Sequence, residues 1–470
     1  MGLFDGGNQV PGTLEYGQVI GDELMKALQI GYGTDSATMT GGRALVPQDI
    51  DSTVLNALAV RKNDFKLMNR LKVRKAGSSV VEYTRRDEVG DHSLVFGAEG
   101  ADARASTQTL ERVTKLIKYM QTYREITLQM RTANTLEDAE ASEKEAGILT
   151  ILKGAEYACF HGNGDVVSVQ FDNAIKQTLS ANGPKGYKNV VDMRGKTLQA
   201  SGEDAINKVA GLTFDQGGDI TDAFMPPVIA SDFQAMIRDR YRTGPNDRTG
   251  AMVVAEYPTV FGSGTIKVAG QSGPDKMFSV RGTVSASGDA SKRPGIPTIS
   301  VASATNASTK FISSDLGTYT YAVHAISEEG ISAASSTATA TVASGEAVTV
   351  TITPNTTIPG TGFIVTRSKK GATTDLREVE RIAIGTGTTT AYVDLNAVLP
   401  GTGDIFLPTI DAMYDAIRWD QFLPAMKFDL YPTKSAIIPF LIVMFGTVDV
   451  RVPWYHGVIQ NVSPSTLGWY

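Results

Sequence analysis

The chain has 470 residues, of which 42% are apolar and 20% charged, with a formal charge of −6. That length suits roughly two to four domains, supplies ample material for a core, and excludes a disordered polyampholyte. The single cysteine, Cys159, excludes an intrachain disulfide framework and multi-cysteine metal sites, and the net acidity argues against a wholly basic nucleic-acid binder.

The N-terminus, MGLFDGGNQVPG, has no basic region and no long apolar run, so it does not read as a signal peptide. Residues 1–60 read as an arm. Glycines at 2, 6, 7, 12, 17, 21, 31, 33, 41 and 42 punctuate it, and only two short helices are expected, over 21–30 and 47–60. Such an arm buries little of itself and lies across something else.

The next stretch, 61–75, reads RKNDFKLMNRLKVRK. Seven basic residues (Arg61, Lys62, Lys66, Arg70, Lys72, Arg74 and Lys75) stand against one Asp. Two readings stay open: a solvated face, or a patch that meets a polyanion or an acidic neighbouring subunit.

Residues 76–130 read as a long β-hairpin, with an outgoing strand at 78–85 and a return strand at 107–130, broken near 118–121. Thr109, Glu111, Val113, Lys115 and Ile117 alternate with Leu110, Arg112, Thr114 and Leu116, so neither face is cleanly apolar. A two-stranded ribbon of this kind is marginal alone and calls for cover by another chain. The loop of roughly twenty residues between its strands is long enough to be functional.

The clearest helix is expected at 134–160. Thr135 ahead of Glu137 and Asp138 forms a cap, and acidic residues suit the positive end of the helix. Leu136, Ala139, Ala146, Leu149, Leu152, Ala155 and Cys159 fall near one stripe, which makes Cys159 a buried small hydrophobe. Gly162 and Gly164 end the helix.

Residues 165–285 read as an α+β block. A helix is expected at 204–209 and a buried strand at 223–229. Ser231 is expected to cap a helix carrying Phe233, Met236 and Ile237. Strands are expected at 251–255 and 265–268, with turns at 246–250 and 262–264.

Composition then changes. No Met, Trp or Cys occurs between Met277 and Met413, and Thr and Ser dominate. Short alternating segments recur at 298–302, 318–326, 338–342, 347–352, 362–368, 378–384 and 388–395, the pattern of a β-sandwich. Flanking linkers at 285–295 and 399–403 suggest a module inserted into the α+β block. From 405 the earlier character returns, with a helix at 411–419 and strands at 426–431, 437–445 and 448–452. The run AIIPFLIVMF at 436–445 is about half the length needed to span a bilayer and reads as a buried strand.

Motifs for chemistry are missing. Gly195-Lys196-Thr197 ends like a P-loop, but Val190 stands where its first glycine belongs. The four histidines are scattered over different elements. Nothing favours catalysis, a cofactor or a metal.

A Gly-rich arm, a mixed-face ribbon, a long capped helix and an α+β block whose sheet closes at the C-terminus follow one another in an order that resembles the major capsid proteins of tailed bacteriophages, the Hong Kong 97-type fold. The resemblance implies an α+β chain divided into an N-terminal arm (1–60), an extended loop with flanks (61–130), a peripheral domain with its spine helix at 135–160 (131–209), an axial domain in two parts (210–283 and 405–435) and C-terminal peripheral strands (436–470). The remaining segment, 284–404, contains TYTYAVHAISEEGISAAS (318–335), GFIVTRSKKG (362–371) and TTTAYVDLN (388–396). It is similar to immunoglobulin-like or fibronectin type III modules, although the pieces come in a different order.

The functional implications follow from that resemblance. The chain would be a non-enzymatic virion protein without cofactors, made in the host bacterial cytoplasm. It would assemble with itself into hexamers and pentamers of an icosahedral head shell, with the sandwich displayed outward. Further partners would be the portal protein, in some cases decoration proteins, and packaged double-stranded DNA, met by non-specific contact; the 61–75 patch would face that DNA or an acidic patch of a neighbour. No membrane is implied, nor any large cleaved N-terminal segment. The rival reading is a tail-tube or baseplate structural protein with the same surface module. A secreted adhesin would be expected to carry a signal peptide.

Overall fold

A computed structural model describes residues 65–97, 99–100, 102–132, 138–238, 255–262, 264–411, 413–432 and 436–467. The expected arm, Arg61 and Lys62, the Thr135 cap, the turn at 246–250 and most of the strand at 251–255 lie outside the described residues.

The described chain opens with α1 (Lys66–Arg70) and β1 (Lys72–Lys75). The ribbon follows. Its strands β2 (Val80–Glu88) and β3 (Thr109–Leu116) are antiparallel, with Val81 opposite Lys115, Tyr83 opposite Val113 and Arg85 opposite Glu111. The return strand is shorter than the expected 107–130. It stops at Ile117, which packs with Ala76, Val81 and Phe445, and β4 (Lys118–Thr127) then pairs with a different strand. An apolar residue drawn into the body thus ends the hairpin.

After α2 (Leu128–Thr132) comes the long helix α3 (Ala139–His161), 23 residues and about 34 Å at 1.5 Å per residue. Its buried stripe includes Gly147, Ile151, Ala155, Glu156, Cys159 and Phe160. Ala146, expected on that stripe, is exposed, and Gly147 takes its place. A Cβ at 147 would collide with Ile442, so this glycine lets the helix sit close on the sheet beneath.

The α+β block contains α4 (Ala174–Thr178), β5 (Val190–Asp192), α5 (Leu198–Asp215), β6 (Phe224–Met225), α6 (Pro227–Arg238), β7 (Glu256–Pro258), β8 (Thr265–Lys267) and β9 (Gly273–Pro274). The helix expected at 204–209 is therefore longer. The strand expected at 223–229 is only two residues, because Pro227 starts α6, in a first turn where its missing N–H is not needed. Ser231 accordingly lies inside the helix, and its hydroxyl donates to the Val228 carbonyl at 2.9 Å instead of capping.

Eight strands then follow: β10 (Thr298–Thr305), β11 (Gly317–Ser327), β12 (Gly330–Ile331), β13 (Ala338–Val342), β14 (Glu346–Thr353), β15 (Gly362–Arg367), β16 (Arg377–Ala383) and β17 (Thr390–Asp394). They match the expected segments, with β12 in addition. β10, β14 and β17 form one sheet, and β12, β11, β15 and β16 another, with β13 on β11. Tyr321, Val323, Val348, Val350, Ile352, Phe363 and Val365 share the core between them. That core also holds an ion pair. Arg367 and Asp394, each 1% exposed, meet at 2.6 Å, and the Tyr321 hydroxyl donates to Asp394 at 2.9 Å.

The chain ends with β18 (Gly403–Leu407), β19 (Ile417–Asp429), β20 (Ile437–Val450) and β21 (Gly457–Val462). The described residues of 411–419 form no helix: Ile417 and Trp419 join one apolar core while Arg418 and Asp420 point into a polar cluster, a period of two that makes a strand. The strands expected at 437–445 and 448–452 are one. Two sheets organise the body, β1-β19-β20-β4 and β5-β21-β18-β6-β9. Helix α3 covers one face of the first, where Ile151, Ala155 and Cys159 join Trp419, Phe440 and Ile442. Helices α5 and α6 pack on the second. The chain leaves this second sheet after β9 and returns to it as β18, with the two-sheet sandwich between.

Candidate interaction surface

Among the described residues no group of three or more His, Cys, Asp or Glu is placed to hold a metal ion, and no helix is long and apolar enough to cross a membrane. Cys159 is fully buried, and that burial pushes its thiol well above the ordinary range. His324 bonds the Ser332 carbonyl at 3.0 Å. His456, pushed down to about 4 by burial, accepts from the Thr409 amide at 3.1 Å. A cleft of about 470 Å³ lies between the end of α3, α4 and β16. Two ion pairs line it, Glu378 with Arg381 at 2.7 Å and Arg281 with Asp404 at 2.5 Å.

The basic stretch is divided. Lys66 donates its ammonium to the Ser272 carbonyl at 3.2 Å. Arg70 forms a two-pronged pair with the fully buried Asp222, Nε to Oδ1 at 3.0 Å and Nη2 to Oδ2 at 3.2 Å. Lys72, Arg74 and Lys75 lie on β1, an edge strand paired in parallel with β19 and exposed along its length. Arg74 reaches Asp420 only at 3.9 Å. The structure thus keeps 72–75 on the surface and ties Lys66 and Arg70 to the interior.

The ribbon joins opposite edges of the first sheet, since β1 and β4 are its outer strands. Its two faces differ. Arg85 stacks on Trp454 at 4.5 Å and donates to the Arg451 carbonyl at 3.1 Å, and Arg451 in turn stands 4.7 Å from the Tyr83 ring. This face leans on the chain's own C-terminal strands. The other face is exposed. It carries Val80, Leu110 and Leu116 among charges such as the Glu82–Arg112 pair. The sheet face away from α3 is also open, with Tyr119 57% and Tyr123 51% exposed beside Met426 and Phe428. Val95 and Phe96 add exposed apolar area near the ribbon's tip. Isolated exposed apolar residues are ordinary, but several of these neighbour one another, Val80 opposite Leu116 and Tyr123 beside Phe428 across one strand, as expected of a surface that meets another protein.

Under the ribbon lies a charge cluster that the sequence pattern did not reveal. Arg418 reaches Asp420 at 3.0 Å and Asp449 at 3.5 Å, and Arg451 reaches Asp415 at 2.5 Å. Asp420 and Asp449 are fully buried. Burial first, and then the Asp420 charge, push Asp449 up to about 6. The only signal in the sequence was the strand-like alternation Ile417-Arg418-Trp419-Asp420.

Comparison with known proteins gives this surface a context. The chain is 25% identical to the major capsid protein of Staphylococcus phage S25-3 over 464 residues, covering 95% of this chain and 96% of the relative. It is 24% identical to a putative major capsid protein of Enterococcus phage phiEF24C, covering 94% of this chain and 95% of the relative. The fold is similar to that in the solved capsid of an empty GTA particle, with a TM-score of 0.50 at 9% identity over 92% of this chain and 100% of that one. The mixed α+β architecture is accordingly similar to that of Hong Kong 97-type phage capsids. Residues 35–281, just over half of the chain, match the family model described as the SU10 major capsid protein, and the chain belongs to that family.

Proposed function

We propose that this chain is the repeating subunit of an icosahedral phage head, forming hexamers and pentamers around packaged double-stranded DNA. The observation that carries the reading is the match to phage major capsid proteins along nearly the whole length of both chains. The exposed ribbon face and the open face of the first sheet support it physically, because a shell built from one chain covers such surfaces with copies of itself. The sandwich at 298–394 is an immunoglobulin-like or fibronectin type III-like module displayed on the outer surface. Its two sheets around one apolar core, and its place between β9 and β18, support that assignment. Non-specific contact with DNA or an acidic neighbour falls to Lys72, Arg74 and Lys75, because Lys66 and Arg70 are already engaged within the chain. Portal and decoration proteins would complete the particle.

The test is electron microscopy of the purified full chain, alongside a variant in which a short Gly/Ser bridge replaces 78–115. Closed shells with fivefold and sixfold capsomers are expected from the full chain, and soluble but unclosed material from the variant. Stacked rings or open tubes would favour a tail protein. A persistent monomer at high concentration would overturn both readings.

A further inference from the structure

Glu156 on α3 and Asp275 just after β9 are both fully buried. Four backbone amides converge on them. Leu67 N–H donates to Glu156 Oε1 at 2.7 Å and Met68 N–H to Oε2 at 2.9 Å. Lys66 N–H donates to Asp275 Oδ2 at 3.2 Å and Met277 N–H to Oδ1 at 2.8 Å. Lys66 and Leu67, neighbours in the chain, thus serve one carboxyl group each, which holds the two carboxyl groups in one buried pocket. Two carboxyl groups buried in one site disfavour a double charge, so a proton is retained between them.

From this arrangement we propose that Glu156 and Asp275 form a proton-sharing clamp that fastens α1, the segment leading into the ribbon, onto the long helix, and that the clamp opens when the shared proton leaves. The inference does not depend on the assembly reading. With the proton in place, one negative charge is spread over amide donors from α1 and the 275–277 segment. Without it, two carboxylates face each other out of reach of water, a state that burial and like charge both disfavour. The other charged or titratable groups on the elements that meet the pair are Lys66 and Arg70 of α1, Cys159 of α3, and Asp222 ahead of β6, which receives Arg70 and the Ser272 hydroxyl. The Lys66 ammonium donates to the Ser272 carbonyl, and Arg70 is held by Asp222. Burial, and then Asp275, push the Glu156 carboxyl well above the carboxylate range, while the Met68 and Leu67 amides pull it down. A carboxyl raised in the folded state favours folding most at low pH. Its contribution is lost as pH rises through the raised value, so the clamp loosens toward alkaline pH.

Hydrogen exchange of the full chain, corrected for intrinsic rates and followed from pH 5 to 9, tests this. Protection at Leu67 and Met68 is expected to fall by about tenfold or more across the range, while amides of β20 hold theirs. Glu156→Gln and, separately, Asp275→Asn remove the shared proton and should flatten that dependence. Circular dichroism serves as the control for folding. Protection at 67–68 that is independent of pH in the wild-type chain would overturn the clamp. So would an equal loss in β20, or an unchanged slope in both folded variants. If neither variant folds, the wild-type profile decides alone.

Discussion

Single side chains in this molecule show where apolar periodicity stops being informative. Glu156 occupies a core position on the stripe that contains Ile151, Ala155 and Cys159, and a pattern that counts apolar residues passes over it. Asp449 is the same case in a strand: it lies opposite Arg418 across β19 and β20 and is fully buried. Neither of its oxygens meets a well-aligned donor. Its carboxyl is raised from 3.8 to about 6, chiefly by burial and then by Asp420. Because the folded state holds the proton more tightly, stability should fall as pH rises from about 4 to about 6, by roughly 2–3 kcal/mol in all. Asp449→Asn keeps the shape and removes the ionisation. It also gives up attraction to Arg418, so the net gain at pH 7.5 should be smaller, about 1–2 kcal/mol. Urea titrations at several pH values measure both effects. An Asp449→Asn variant whose stability still declines over that window would remove Asp449 as the cause.

At the scale of elements, the ribbon was legible because its mixed faces fit no solitary hairpin, and the long helix because its cap, stripe and terminal glycines agree. What escaped was pairing. Residues 118–127 alternate like the ribbon strand before them, so their sequence does not say that β4 pairs with β20 instead of β2. The segment 411–419 spaces its apolar residues like a helix, but tertiary burial on both sides of Ile417–Asp420 imposes a strand. The ribbon's own footing was also invisible. Its inner face is held by Arg85 on Trp454 and by Tyr83 on Arg451, contacts between residues more than 350 apart in sequence. An arginine over an indole face contributes about 1–2 kcal/mol when partly buried. Arg85→Ala should therefore raise amide exchange across β2 and β3 about tenfold, shift Trp454 emission to the red, and leave β19 and β20 unchanged. If ribbon exchange stays the same, the docking seen here does not govern its mobility.

At the scale of the whole molecule, the change in composition marks off a stretch of short strands, and those strands form two sheets around one apolar core. Composition does not report how firmly such a block is seated, and here the seat is extensive. Val166 and Val167, just beyond α3, are buried against Ile326 and Ile364 of the sandwich. Arg194 donates to the Lys310 carbonyl at 2.6 Å and the Asn396 carbonyl at 3.3 Å, and pairs with Asp315 at 3.3 Å. Arg381 reaches the Tyr157 hydroxyl at 3.0 Å, and Asn461 holds the segment leaving the sandwich through Ala397 and Leu399. A loosely tethered module would leave the body indifferent to its removal. This one covers two valines and closes one wall of the cleft at the end of α3. Replacing 289–396 by a short Gly/Ser bridge should then expose Val166 and Val167 and strip Arg194 of its partners. Uncovering two buried valines alone forfeits about 3 kcal/mol, so the excised chain should melt several degrees lower. Adding Val166→Ser and Val167→Ser to the excised chain should restore its solubility without restoring its melting temperature. An excised chain that melts with the intact body transition would show that the seat contributes nothing to the body's stability.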